Sequence, residues 1–481
     1  MSRILQRLSL MPVQITLALV ILVLAAVIRV RGAMNGLWLD EIWSLELVKN
    51  LSSPFDVFTK LHHENNHYLN SLLMYFVGQH GNWVGYRMPS LFLGSASVVF
   101  AGLIGRRWGT AGAVFAMILT SCSYFMVLYS SEARGYAAVV FCSFLCFYLL
   151  ERFLDTRRWP FAVLFSVSAV LGMLSHLLFL NCLLATLPWV VHQFVNTRAG
   201  WKPAIIALLQ LYVLPAAFIA TIYFVDVHHM QIGGGTPTKL FTCYASSLGW
   251  TFGLPHGEAD SMATVLCGGV ILAGAGWLCR RELREAGWFF AGVILIFPIA
   301  LALIRHSRVI YVRHFILGMA FALILLSAVL ATLFRRGGAS RIICFVLLAG
   351  FLAANCWQTL ALFKYGRGQY AEAERYLAEH SQKMPVTIAA IGIEQDFRTP
   401  FVLHFYAPEA LSNTPAVFYT RNHLPADGTE WLIADAESFH DLSPPPARFT
   451  DSAERTYELV KVFPTAQLSG LRWALYHRQI E

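Results

Sequence analysis

Charge is what this chain has least of. Only 13% of its 481 residues are Asp, Glu, Lys or Arg, against 57% hydrophobic residues, and the mean hydropathy is +0.56. One soluble core cannot hide that much apolar surface, so the scarcity of charge excludes an ordinary globular protein and implies a polytopic membrane protein. Paired cysteines are missing too. The nine cysteines fall mostly singly inside apolar runs, such as Cys122, Cys142, Cys146 and Cys344, and none has CxxC or zinc-knuckle spacing. The last, Cys356, precedes the polar tail, which therefore has no disulfide. No A-x-A cleavage site follows the apolar run at 13–28, so this run is expected to remain as a first span despite Arg3 and Arg7 before it. Internal repeats and low-complexity segments are absent. The net charge of +8 is scattered in short clusters, which excludes nucleic acid as a partner and makes the charge a report on membrane orientation.

What is present is a series of apolar runs of membrane-crossing length. They lie at 12–30, 84–104, 110–129, 135–152, 160–176, 179–195, 204–225, 262–279, 286–304, 313–333 and 341–362, about eleven spans. A cytoplasmic N-terminus puts Arg106-Arg107, Arg152 with Arg157-Arg158, Arg198 with Lys202, Arg280-Arg281-Arg284, and Arg335-Arg336 with Arg341 at inner turns. That parity holds only if 68–81, "YLNSLLMYFVGQHG", does not cross but lies at the outer interface; 239–254 is read the same way. The expected fold is mainly α: a transmembrane domain over 1–363, outer juxtamembrane helices, and a small extracytoplasmic α/β domain over 364–481. In the tail "YAEAERYLAEH" has helical period, while "VTIAAIGI", "AVFYT", "WLIAD" and "RWALYHR" read as strands. "DLSPPPARF" reads as a turn or loop.

With that orientation the ionisable residues gather at one side. "GLWLDEIWSLELV" carries Asp40 and Glu41, and "YSSEARGYA" carries Glu132, Arg134 and Tyr136. "DVHHMQIGGGTPTK" carries Asp226, His228, His229 and Lys239, and "RHSRVIYVRHF" carries Arg305, His306, Arg308, Arg313 and His314. Such residues near hydrocarbon are costly and default to function. Plainer readings exist for each: helix N-terminal acids for Asp40-Glu41, an interfacial ion pair for Glu132 and Arg134, anchors for Arg305 and Arg308. Gly233-Gly234-Gly235 lacks the strand, Lys-Ser/Thr and helix of a phosphate loop and reads as a hinge.

The stretch "HHENNH" matches H-E-x-x-H of zinc peptidases through His63, Glu64 and His67. That motif needs a helix to place two imidazoles one turn apart, and Asn65-Asn66 disfavour a helix interior. A metallopeptidase is therefore the weakest reading. A lipid or solute transporter is the rival from another class, and its polar groups should lie at mid-membrane on broken helices. Acids and cations at an outer headgroup plane instead suit sugar transfer from a polyprenyl phosphate. A carboxylate takes the acceptor's proton and cations hold the departing phosphate.

Taken in order, "WLDEIWS", "HHENNHYLNSLLMYFVG", "YRMPSLFLGSASVVFAGLIGRRWG", "YSSEARGYAAVVF" and "YVRHFILG" resemble the GT-C superfamily. The likeness is to its protein O-mannosyltransferases and lipid A aminoarabinose and galacturonic acid transferases, over roughly 12–330. The resemblance implies a multi-pass enzyme of the bacterial inner membrane with a periplasmic C-terminal domain. Its substrates would be a polyprenyl-phosphate-linked hexose or pentose and a lipid, glycan or protein acceptor. It implies Asp40 as the catalytic acid-base group with Glu41 beside it. Arg134 and Arg313, with His314 and Lys239, become the donor-phosphate residues. His63, Asn66, His67, Glu132 and Tyr136 become substrate contacts. Some relatives use a divalent metal near the first loop, for which His63, Glu64 and His67 are the ligands here. Asn65-Asn66 stands where prolines are usual, and His314 where tyrosine is common.

Overall fold

The computed structural model describes residues 2–78, 83–196, 200–231, 238–254, 260–278, 286–304, 309–391, 397–411, 414–420, 423–437, 444–451 and 453–479. In chain order the helices are α1 (Ser2–Ala33), α2 (Leu39–Lys49), α3 (Asp56–Thr59), α4 (Tyr68–Val77), α5 (Trp83–Gly105), α6 (Gly109–Cys122), α7 (Tyr124–Ser130), α8 (Tyr136–Thr156), α9 (Trp159–Ser175) and α10 (Phe179–Asn196). They continue as α11 (Trp201–Val225), α12 (Leu240–Phe252), α13 (Asp260–Leu278), α14 (Gly287–Ala291), α15 (Phe297–Ile304), α16 (Ile316–Arg336), α17 (Gly338–Tyr365), α18 (Tyr370–His380) and α19 (Arg398–Ala410). The chain divides into two compact units: Met1–Ala33 with Val48–Trp357, and Met34–Leu47 with Gln358–Glu481.

The first unit is a helical bundle, and six stretches of described helix in the chain are long and apolar enough to cross a membrane. The chain is a membrane protein. Its axis is α16, where every residue from Ile316 to Ala331 is buried. Phe321 on that helix meets Phe144, Phe147, Phe289 and Phe290 with ring centroids 4.8–6.0 Å apart, an aromatic core drawn from α8 and α14. The α5–α6 hairpin closes on glycine. A Cβ on Gly105 would stand 2.5 Å from the Gly112 carbonyl oxygen, and the reverse holds, so the two backbones touch where only small residues fit. On α1 and α17 the large apolar side chains point outward, Trp357 among them, as lipid-facing helices require.

Each of the eleven expected runs overlaps described helix, with local differences. The 110–129 run is broken at Ser123, whose backbone is extended, into α6 and α7. Asn355 Oδ1 accepts the Tyr124 N–H at 2.7 Å, replacing a helical bond lost at the break. The 286–304 run carries a π-helical turn, Gly292–Ile296, between α14 and α15. Residues 68–81 supply only α4, ten residues or about 15 Å, too short to cross; α12 has thirteen.

Among the described residues the second unit carries six strands: β1 (Val386–Ala390), β2 (Ala416–Thr420), β3 (Trp431–Glu437), β4 (Arg448–Thr450), β5 (Thr456–Phe463) and β6 (Leu471–Arg478). They form one mixed sheet in the order β2-β1-β3-β6-β5-β4, parallel around β1 and antiparallel elsewhere. Ala389, Leu432, Tyr457, Ala474 and Tyr476 make its core. The segment Met34–Leu47 packs into this unit. Tyr406 OH donates to the Leu37 carbonyl at 2.7 Å, Arg367 Nη1 donates to Asn35 Oδ1 at 3.1 Å, and Trp43 meets Phe397 and Phe401. Gly36 lets the Tyr406 hydroxyl come where a Cβ would stand 2.6 Å from it.

Candidate functional site

The strongest convergence lies at one end of the helical bundle, where α4 begins, α7 turns into α8, and α9 turns into α10. His67, just before α4, is 3% exposed. Its Nδ1 accepts the Gly135 N–H at 2.8 Å, and its Nε2 lies 3.1 Å from Nη2 of Arg134. Gly135 has to be glycine: a Cβ there would stand 1.9 Å from the Ser175 carbonyl oxygen and 2.7 Å from His67 Nδ1. The imidazole ring lies 4.4 Å from His176 and 5.4 Å from Tyr136, centroid to centroid. The Arg134 guanidinium sits 5.3 Å from the Tyr136 ring, and Ser90 Oγ donates to the Arg134 carbonyl.

Electrostatics fix the protonation of this histidine. Burial, and then the charges of His176, Arg134 and Arg313, hold the His67 pKa well below its ordinary value. His67 is thus a neutral imidazole with one acceptor nitrogen. Arginine only donates, so Nε2 accepts from Arg134 in one tautomer and Nδ1 accepts from the Gly135 N–H in the other; a neutral ring serves one of the two at a time. Arg134 and Arg313 thus bring positive charge to a neutral ring, an arrangement that suits an anion beside them.

The acid pair lies in the other unit, on the first turn of α2. Glu41 is fully buried, and its Oε2 accepts the Trp38 N–H at 3.2 Å, the bond of a helix N-terminus. Burial pushes the Tyr370 phenol up, with Asp435 and then Glu41 adding, so Glu41 faces into this unit's interior. Asp40 is half-buried, with Ser44 Oγ donating to its backbone carbonyl at 3.0 Å.

The other expected residues are placed variously. Residues 63–67 form a turn, not a helix, so His63 and His67 are not stacked as zinc peptidases need. His63 Nδ1 instead accepts the Asn65 N–H, and the Glu64 N–H bonds the Gln231 carbonyl. Among the described residues no three His, Cys, Asp or Glu side chains are grouped so as to hold a metal ion, His63, Glu64 and His67 included. Asn66 is buried, its amide nitrogen donating to the Val57 and Leu61 carbonyls. Glu132 is fully buried beside Arg134 in sequence. Arg313 stacks 4.1 Å over the Tyr311 ring; His314 Nδ1 accepts the Tyr311 N–H at 3.3 Å. Lys239 is exposed before α12. Arg305, His306, Arg308 and Gly233–Gly235 lie outside the described residues.

One group escaped sequence reading, and one was named without its partners. His176, in "MLSHLLF", marks the α9–α10 turn, and a lone histidine between two apolar runs is its only signal. Asp226 lies far from its partners in sequence: its carboxylate takes His62 Nδ1 at 2.6 Å and the Tyr68 hydroxyl.

No family model matches the chain, and no curated protein matches it in sequence. Among solved structures it is similar to the archaeal oligosaccharyltransferase AglB from Archaeoglobus fulgidus in complex with an inhibitory peptide and a dolichol-phosphate. That likeness has a TM-score of 0.46 and 12% identity, covering 87% of this chain and 69% of that one. A second structure, an Archaeoglobus fulgidus oligosaccharyltransferase tethered to an acceptor peptide, has a TM-score of 0.44 and 12% identity. It covers 84% of this chain and 64% of that one, so the chain spans less than two thirds of that protein.

Proposed function

We propose that the chain is a membrane glycosyltransferase of the bacterial inner membrane. It moves a sugar from a polyprenyl-phosphate donor to a hydroxyl of an envelope lipid, glycan or protein, with inversion at the anomeric carbon. The observation that carries this reading is the convergence of His67, Arg134 and Arg313 on one end of the bundle. These donors suit a lipid phosphate, which leaves as the glycosidic bond breaks. His67 contributes as a neutral imidazole, Arg134 and Arg313 as cations, and Tyr136 with His176 wall the site. Asp40 is the general base: it takes the acceptor's proton as that oxygen attacks, and the electron pair of the old bond goes to the phosphate. Glu41, bound to the start of α2, positions the helix rather than reacting. The resemblance to GT-C enzymes and the positive-inside parity support a periplasmic tail.

Binding of farnesyl phosphate, a short polyprenyl monophosphate, to purified protein tests the site. Saturable binding that weakens about tenfold in His67→Ala is expected, since a hydrogen bond to a charged group contributes about 1.5–3 kcal/mol. Equal binding by both proteins rejects the phosphate assignment. Comparing envelope-glycan masses and lipid-linked sugars in cells with and without the gene tests the activity. A cysteine at Gln369 should react with impermeant reagents in intact cells; protection there overturns the orientation.

A further inference from the structure

Asp226 is a buried acid of the bundle that the reading above leaves unused. Its side chain is fully buried at the end of α11, and both carboxylate oxygens are occupied. Nδ1–H of His62 donates to Oδ1 at 2.6 Å, and the Tyr68 hydroxyl donates to Oδ2. A carboxylate is costly to bury, and two donors from one short segment repay that cost only in this arrangement. Backbone pairing joins the same pieces: the Gln231 N–H bonds the His62 carbonyl at 2.7 Å, and the Glu64 N–H bonds the Gln231 carbonyl at 3.0 Å. The held segment, His62 to Tyr68, contains His67. Its two clamped ends lie five residues before and one residue after the imidazole that meets Gly135 and Arg134.

Resting on the phosphate reading above, we propose that Asp226 is the positioning residue of the anion site. Through His62 and Tyr68 it fixes the 62–68 segment, so that the His67 imidazole stands beside Arg134 before the lipid phosphate arrives. A group held in place loses less freedom on binding, so the clamp acts on affinity. Nothing in it touches the ligand.

The test is a double-mutant cycle read by farnesyl phosphate binding to the full chain. Asp226→Asn keeps the shape but turns one acceptor oxygen into a donor, opposing either His62 or Tyr68. It should raise the Kd about tenfold, as should His67→Ala, while the double variant should bind no worse than His67→Ala alone. A purely structural defect would multiply with His67→Ala instead, and that product, or wild-type affinity in Asp226→Asn, overturns the proposal. Wild-type affinity in His67→Ala overturns the phosphate reading together with it, a different outcome from the other two. Should Asp226→Asn fail to fold, Tyr68→Phe removes one donor and leaves the carboxylate. It should weaken binding about threefold, and the increase should vanish when His67→Ala is added; persistence of the increase overturns the proposal.

Discussion

The two units bring different ionisable groups forward. In the helical unit Arg134 lies 3.1 Å from a neutral His67, with Arg313 close enough to press on it, and Glu132 and Asp226 are buried there as well. In the second unit Asp40 and Glu41 stand on α2 and Glu374 on α18, with Arg367 buried too. Glu41 has a helix N-terminus to bond. Glu374 is fully buried, with neither carboxylate oxygen hydrogen-bonded among the described residues, and burial raises its pKa to about 9. Under the proposed function the difference is a division of work: phosphate-binding donors in the bundle and a base on α2.

The largest break in that comparison is Asp40→Asn. Removing the base while keeping its shape should cut transfer about 10²–10⁴-fold, measured as the envelope-glycan mass that a wild-type gene restores to a deletion strain. Glu41→Gln should be milder; near-normal transfer in Asp40→Asn with none in Glu41→Gln would move the base by one residue.

Glu374 sharpens the contrast through pH. Its folded pKa lies above the unfolded value of 4.5, so its contribution to stability is fully present below about pH 4.5 and lost as pH rises toward 9. Glu374→Gln should remove that slope, gaining up to about 3 kcal/mol on the parent between pH 4.5 and 7. Thermal midpoints of the two proteins that run parallel across this window would show that Glu374 ionises normally.

Arg134→Lys and Arg313→Lys keep the charge and lose the planar fork, so each should weaken farnesyl phosphate binding about tenfold with little change in thermal midpoint. Unchanged affinity in both would remove these arginines from the site. The smallest effect is expected at Glu64→Gln. In a turn with no metal set among the described residues, it should change lipid-phosphate binding by less than about twofold. Chelator-sensitive cleavage of peptides by the purified protein, lost in this variant, would restore the peptidase reading.

Legibility in the sequence followed the range of the interaction. The long apolar runs and α18, which spans Tyr370–His380 as its period indicates, depend on local pattern and were readable. So was the shortness of α4, through the parity of the basic turns. Strand β5, "TYELVKVF", was not: a register shift between Leu459 and Lys461 interrupts its alternation, and charged residues sit on its outer face. Helix α19 hid behind Pro400 and Pro408, although the first stands within its opening turn, where proline is tolerated. In the site, Arg134 and His67 could be named but their meeting could not, since it depends on Gly135 admitting the Ser175 carbonyl. Asp226 and Tyr68 are 158 positions apart, and no local pattern predicts that bond.

The division of work is tested most directly by one paired measurement on Asp40→Asn and Arg134→Lys: farnesyl phosphate affinity beside restoration of the envelope-glycan mass. Asp40→Asn should bind the lipid phosphate with wild-type affinity and restore nothing. Arg134→Lys should bind about tenfold more weakly and restore part of the product. Loss of binding in Asp40→Asn, or full restoration by it, would contradict the account.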